Sequence, residues 1–230
     1  MPMIHASRLP TTARFMRSET IPPPDLQRTL AGIRACRICI ESPRGRPLPH
    51  APRPVLRASS TARIVICGQA PGTRVHASGT PFTDPSGDRL RAWMGVTVEE
   101  FYDSARIAIV PMGFCFPGLD AKGGDRPPRR ECADAWHAQL FALMPQLELF
   151  LLVGLSALRW HVPHQMRPTL TETVADWRAF AQPSRTRTHA QAHIFPMPHP
   201  SWRNTAWLKA HPWFDTELLP ELRVRVRERL

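Results

Sequence analysis

The sequence has no long apolar run. Across its 230 residues, 43% of them apolar, no window approaches the roughly 18 to 20 uninterrupted apolar residues of a membrane-spanning helix. Its first residues, MPMIHASRLPTTARFMRSET, lack the apolar centre of a secretory signal. We therefore expect a globular protein in the cytoplasm, with no membrane partner and a chain long enough to bury a substantial core.

Lysine is almost absent. Of the 30 basic residues only Lys122 and Lys209 are lysines, and the formal net charge is +11. Because the planar guanidinium of arginine makes bidentate contacts with phosphate, this composition favours a nucleic-acid partner. A genome rich in G and C, which supplies arginine codons freely, would give the same bias without any function.

Cysteine is scarce too, and five cysteines without an export signal do not indicate a disulfide scaffold. Cys36 and Cys39 form a C-x2-C pair, whereas Cys115 and Cys132 flank a loop rich in glycine, proline and arginine. Four thiolates suit a structural zinc ion or an iron-sulfur cluster; free or buried thiols are the alternative. Cys67 ends an apolar run and is predicted to lie in the core.

Short apolar runs predict the fold class. Residues 1–24 read as a disordered, basic, proline-rich tail, and residues 25–230 as one domain. Within that domain four apolar runs, at 62–67, 106–111, 147–154 and 192–197, alternate with helical segments. Such alternation predicts an α/β fold with parallel strands joined by helical crossovers.

Helix caps can also be read from the sequence. Asp25 is predicted to cap the first helix, and Thr97 with Glu100 has the spacing of a capping box. Asp88 is predicted as the N-cap of a helix that follows it, although a catalytic role is an alternative.

Three unusual loops follow the predicted strands: GQAPG after the first, MGFCFPG after the second and MPHPSWRN after the fourth. Ligands of open parallel sheets bind outside the carboxyl ends of the strands, so these loops predict one shared site. The last loop holds His199 between two prolines, which restrict its backbone and suit a positioned catalytic group.

The stretch GQAPGTRVHASGTPF, from Gly68 to Phe82, resembles the first motif of the iron-sulfur uracil-DNA glycosylases (family 4), and HPSWRN resembles their second motif. The four cysteines follow the arrangement of that family. The resemblance implies a three-layer α/β/α fold around a four-stranded parallel sheet. It also implies a [4Fe-4S] cluster on Cys36, Cys39, Cys115 and Cys132, and hydrolysis of the N-glycosidic bond of a deaminated base in DNA.

The resemblance assigns a role to each motif residue. Phe82 would stack on the flipped base, and His199 would face the base oxygen that gains charge. Ser201, Trp202, Arg203 and Asn204 would contact phosphate and fill the gap in the duplex. Backbone donors near the base and the water would come from the stretch Gly68, Gln69, Ala70, Pro71 and Gly72, in which Pro71 itself has no amide hydrogen.

The sequence departs from the family where water is activated. Gln69 and Ala70 stand at motif positions where related enzymes carry an acid, and neither can act as a base. Asp84 and Asp88 are the nearest candidate carboxylates. Alternatively, the glycosidic bond breaks first and Gln69 only orients the water, because a general base typically contributes about 10² to 10⁴-fold and its absence slows an enzyme without abolishing it.

A second departure concerns the choice of base. The family reads uracil with an asparagine near the end of the second strand, where residues 110–112 have no side-chain amide. Asn204 is the candidate substitute, or the pocket accepts other deaminated bases.

The sequence therefore predicts a monomeric, nucleoid-associated, monofunctional DNA glycosylase, since neither lysine suits lyase chemistry. Two alternatives remain: an iron-sulfur protein that binds uracil-containing or abasic DNA without efficient excision, and a zinc-stabilised nucleotide-binding module.

Overall fold

A four-stranded parallel sheet forms the centre of the computed structural model, which describes residues 25–230. The predicted tail at 1–24 lies outside the described residues. Sheet order is β2-β1-β3-β4, and every neighbouring pair is parallel. The strands are Ile64–Cys67 (β1), Ile107–Ile109 (β2), Leu149–Val153 (β3) and His193–Met197 (β4).

Helices cover both faces of the sheet, which explains why its strands are almost continuously apolar. Twelve α-helices lie within residues 25–230, and none is long and apolar enough to span a membrane. They are Leu26–Arg34 (α1), Ile38–Glu41 (α2), Thr73–Ser78 (α3), Pro85–Met94 (α4), Val98–Tyr102 (α5), Arg130–Cys132 (α6), Ala138–Ala142 (α7), Leu155–His161 (α8), Leu170–Ala175 (α9), Trp177–Ala181 (α10), Thr205–Ala210 (α11) and Leu219–Arg227 (α12).

Two apolar clusters make up the core, one on each face of the sheet. On one face α1, α7 and α8 pack against Val65, Phe150 and their neighbours. On the other, α4, α5, α10 and α12 pack against Ile66 and Leu151. The three-layer α/β/α prediction is confirmed, and Cys67 is fully buried, as expected for a core residue.

Most predicted caps are confirmed, and one is wrong. The Asp25 side chain accepts from the Arg28 amide, and Thr97 and Glu100 form a reciprocal capping box. The cap of α4 is Asp84 rather than Asp88, because Pro85 is well suited to the first helical position and starts the helix earlier. The glycine-rich stretch after β1 also contains the short helix α3, which was not predicted.

An aromatic layer encloses two buried histidines. The His137 ring stacks on Phe114 with centroids 5.3 Å apart, and Trp160 lies edge-on to both His137 and His161. Burial lowers the pKa of His137 to about 4, although the Pro111 carbonyl and Asp134 favour its protonated form. Neither ring nitrogen of His137 reaches hydrogen-bond geometry with a described residue.

Replacement of His137 by phenylalanine should make folding less sensitive to acid. The unfolded chain takes up a proton near pH 6.5, whereas the folded chain resists it until about pH 4, so wild-type stability falls across that window as pH is lowered. At the acid end of that window, the loss in the free energy of unfolding that His137 causes reaches about 3 kcal/mol. Urea unfolding at a series of pH values should show a flatter dependence for His137→Phe. The exposed His164→Gln should behave like wild type, and an unchanged slope in His137→Phe would contradict a neutral buried ring.

Candidate active site

A pocket opens at the carboxyl edge of the sheet, where the loops after β1 and β4 meet. Its lining joins segments far apart in sequence, which is typical of ligand sites in open α/β sheets. The lining residues are Val55, Gly68, Gln69, Ala70, Pro71, Gly72, Val75, Pro81, Phe82, Asp84, Ser86, Ile109, Pro111, Asp125 and His199.

Backbone pairing beyond the strand ends holds one wall of the pocket. The Met112 amide donates to the Gly68 carbonyl over 2.9 Å, and the Gly113 amide donates to the Gln69 carbonyl over 2.8 Å. Pro111 has no amide hydrogen. Residues 110–112 therefore offer a ligand neither a side-chain amide nor a free backbone donor, as their sequence indicated.

Phe82 closes the pocket in a strained conformation. Its φ of 56° is the only positive value among the described non-glycine residues, and such strain persists only where surrounding structure enforces it. The Phe82 carbonyl accepts from the Tyr102 hydroxyl and the Arg91 guanidinium, over 3.2 Å and 3.3 Å. A Cβ built on Gly68 would lie 3.6 Å from the tip of the Phe82 ring, so this ring faces the glycine-rich wall.

His199 is held by contacts on its backbone and on its ring. Asn204 donates from its side-chain amide to the His199 carbonyl over 2.7 Å, and Arg89 of α4 donates to the Ser201 carbonyl over 3.0 Å. The Ser201 amide donates to Nδ1 of the ring over 3.2 Å. Since Nδ1 accepts, the proton of the neutral ring lies on Nε2.

Electrostatics keep this ring neutral. Burial lowers the pKa of His199, and the nearby carboxylates of Asp84 and Asp125 offset the effect only in part. Around neutral pH, His199 therefore presents an Nε2–H donor without a full positive charge. A neutral donor suits an acceptor oxygen that gains negative charge during a reaction.

Two carboxylates line the pocket with His199. Oδ1 of Asp84 accepts from the Ser86 hydroxyl over 2.5 Å and from the Gly87 amide over 3.3 Å, which fixes the carboxylate at the start of α4. Asp125 comes from the segment between Cys115 and Cys132; loss of hydration around its carboxylate raises its pKa, and Asp84 adds to the effect. The other candidate, Asp88, lies on the surface, where it pairs with Arg91 over 2.6 Å.

The structure brings most of the predicted site residues together. The first-motif residues, Asp84 and His199 share the pocket, whereas the second-motif residues Ser201, Trp202, Arg203 and Asn204 lie beside it. Trp202 is 76% exposed, with the Arg203 guanidinium 6.0 Å from its ring. The Asn204 amide supports the His199 loop and does not line the pocket. Sequence reasoning missed Asp125, Ser86 and Arg89, because no local pattern marks them.

A family model described as the Uracil DNA glycosylase superfamily matches residues 57–223. The chain belongs to this superfamily. The match covers the whole sheet, both motif loops and every residue that lines the pocket except Val55. It begins after Cys36 and Cys39, so it does not bear on the first cysteine pair.

The four cysteines of this superfamily member line a second, smaller cavity. Cys36, Cys39, Cys115 and Cys132 enclose it together with Ile33, Pro52, Pro54 and Phe114. Among residues 25–230 no three cysteine, histidine or acidic side chains converge closely enough to share a single metal ion. The sulfurs thus surround a space and do not meet at one point.

Hydrogen bonds and burial shape the chemistry of these thiols. The Trp136 indole donates to Cys36 Sγ and the Phe114 amide donates to Cys132 Sγ, each over 3.3 Å. Burial raises the pKa of Cys115 to about 12 and also raises that of Cys132. Without a cation Cys115 and Cys132 therefore stay protonated, and N–H donors pointing at sulfur suit thiolate ligands of a metal centre.

Replacement of Gly87 by alanine should destabilise the protein, although alanine is normally the better residue within a helix. A Cβ at this position would lie 1.9 Å from the Phe82 carbonyl oxygen, so the strained Phe82 turn would have to move. We expect a loss of about 1–3 kcal/mol in the free energy of unfolding, measured by urea denaturation. At Gly45 the same change meets open space and should cost far less; equal stabilities of the two variants would contradict the packing argument.

Proposed function

We propose that this superfamily member is a monofunctional DNA glycosylase, which hydrolyses the N-glycosidic bond of uracil, or of another deaminated base, and leaves an abasic site. The observation that carries the proposal is the neutral His199, which lines the pocket together with Phe82 and carries its ring proton on Nε2. Membership of the superfamily supports DNA glycosylase activity in general.

Base binding follows from the shape of the pocket. A base must leave the duplex stack, at a cost of a few kcal/mol, before an enzyme can act on it. Stacking on an aromatic ring returns about 1–3 kcal/mol, and Phe82 is the aromatic ring that lines the pocket. On the opposite side, Gly68 and Gly72 let the backbone approach the base closely.

Stabilisation of the leaving group is the main catalytic contribution. When the bond to the sugar breaks, its electron pair remains on the base, and negative charge spreads to the base oxygens. The Nε2–H of His199 donates to one of them without transferring its proton. Removal of one such donor in comparable sites costs roughly 10² to 10³ in rate.

Water activation is assigned to Asp84, with Gln69 as an orienting residue. Ser86 and Gly87 hold Oδ1 of Asp84, which leaves Oδ2 for a water molecule. A carboxylate with one oxygen fixed and one free is prepared to accept a proton. Lys122 and Lys209 do not line the pocket, which supports hydrolysis by water rather than lyase chemistry.

DNA would bind across the mouth of the pocket. Trp202 is exposed beside it and can fill the gap that a flipped nucleotide leaves, while Arg203 and Ser201 contact phosphate. Since the Asn204 amide is already used by the His199 backbone, it is not free to read a base edge. Because residues 110–112 carry no side-chain amide, a range of deaminated bases beyond uracil is the expected substrate set. We expect the protein to act as a monomer on DNA in the cytoplasm.

We further propose that the chain is of the iron-sulfur type (family 4), with a [4Fe-4S] cluster on Cys36, Cys39, Cys115 and Cys132. Support comes from four thiols around one cavity, two of them receiving N–H donors. A cluster needs space between its sulfurs, whereas zinc, the alternative, needs them about 2.3 Å from one point. The bound cluster would brace the segment between Cys115 and Cys132.

The function is tested by excision. Uracil-containing single-stranded and duplex oligonucleotides, with a panel of other deaminated bases, are incubated with the protein, and abasic sites are then cleaved by alkali. We expect strand scission by wild type and a loss of roughly 10² to 10³ in single-turnover rate for His199→Ala. His164→Ala, at an exposed position, should keep the wild-type rate. No scission of any substrate would favour the non-excising DNA-binding protein, and full activity of His199→Ala would refute the role of His199.

The cofactor is tested on anaerobically purified protein. A [4Fe-4S] cluster predicts a brown sample with broad visible absorption and about four iron and four sulfide per chain. Cys115→Ser should bleach the colour and lower the iron content, whereas Cys67→Ala, which lies in the core away from the cavity, should retain both. A colourless sample that contains zinc would contradict the cluster.

A further inference from the structure

The segment between Cys115 and Cys132 folds into a tight hairpin that carries a carboxylate to the pocket. Leu119 and Asp125 form an antiparallel bridge. The Asp120 amide donates to the Gly124 carbonyl over 2.8 Å, and the Arg126 amide donates to the Gly118 carbonyl over 2.9 Å. Asp125 is therefore fixed by backbone pairing and does not lie in a loose loop.

The carboxylate of Asp125 points at the glycine-rich wall. A Cβ built on Gly72 would lie 3.1 Å from Asp125 Oδ2, so the carboxylate lies close against this wall. Its charge is coupled to His199 and to Arg203 of the second motif. Among the described residues neither carboxylate oxygen has a hydrogen-bond or ion-pair partner.

An unpartnered carboxylate at this place works against DNA binding. The chain carries a net charge of +11, which attracts phosphate, and a negative group at the mouth of the pocket repels it. Asp125 is exposed, whereas Gly68 and Pro111 deeper in the pocket are buried. A base bound in the deep part would place the deoxyribose of the flipped nucleotide at the level of Asp125.

We propose that Asp125 is a second catalytic carboxylate, which faces C1′ of the deoxyribose and stabilises the positive charge that develops there. This inference rests on the proposed glycosylase function. It gives the two carboxylates of the pocket different tasks: Asp84 receives the proton of the water, and Asp125 supplies negative charge beside the sugar.

The reaction balances without any further reactant. The bond between C1′ and the ring nitrogen of the base breaks, and its electron pair leaves with the base, whose oxygen is held by His199. Positive charge appears on C1′ and the sugar ring oxygen, next to the Asp125 carboxylate. The water oxygen then bonds to C1′ and its proton passes to Asp84, which releases it to solvent; the departing base anion takes up a proton from solvent.

Single-turnover excision with enzyme in excess is the first test. Asp125→Asn keeps the shape of the side chain and removes its charge, so we expect the excision rate to fall at least about tenfold. The loss of one enclosed group that stabilises a transition state typically lowers a rate by roughly 10² to 10³. Asp120→Asn makes the same charge change in the same hairpin, outside the pocket, and should keep the wild-type rate. If wild type excises the base and Asp125→Asn does so at the same rate, this inference alone is overturned. If wild type excises no base, the proposed function is overturned with it.

Binding of abasic-site analogues separates charge stabilisation from other roles. A duplex with a pyrrolidine at the abasic position carries a cation where the sugar charge develops, and a tetrahydrofuran duplex is its neutral counterpart. Wild type and Asp120→Asn should prefer the cationic duplex, and Asp125→Asn should lose at least about tenfold of that preference. Equal preference in Asp125→Asn, or a change only in which bases are excised, would contradict the proposal.

Discussion

The pocket depends on the contact between the Phe82 carbonyl and the α-carbon of Gly87. This approach leaves no room for a side chain at Gly87 and holds Phe82 at a positive φ, where a phenylalanine rarely lies. Asp84 lies between these two residues and caps the same helix. One turn therefore fixes the Phe82 ring, the start of α4 and the carboxylate of Asp84 together. Helix α4 in turn holds the His199 loop through Arg89.

The charged side chains that line the pocket are opposite in sign to the net charge of the whole protein. The molecule is strongly basic, which suits DNA, yet two carboxylates line the pocket together with a neutral histidine. Burial lowers the pKa of His199 by more than these carboxylates raise it. In the proposed mechanism these charges have separate tasks: the positive surface binds phosphate, the neutral donor faces the charge on the base, and the Asp125 carboxylate faces the charge on the sugar.

The cysteine cavity and the pocket share one segment of chain. Cys115 and Cys132 line the cavity, and the hairpin between them places Asp125 beside Gly72. Gly113, just before this segment, packs so closely that an added Cβ would lie 3.2 Å from Pro128 and 3.5 Å from Ala70. A group bound by the four thiols would thus restrain a wall of the pocket without touching the substrate.

Local sequence determined the fold class, the positions of the four strands, most helix caps and the loops of the site, because apolar periodicity and capping act over a few residues. The parallel arrangement also placed those loops at one edge before any contact was known. The tertiary structure decided which polar groups enter the pocket. Asp84, and not Asp88, is the N-cap of α4. The Asn204 side chain donates to a backbone carbonyl, and Asp125 reaches Gly72 only through a hairpin distant in sequence. These outcomes depend on long-range packing, which no local pattern encodes.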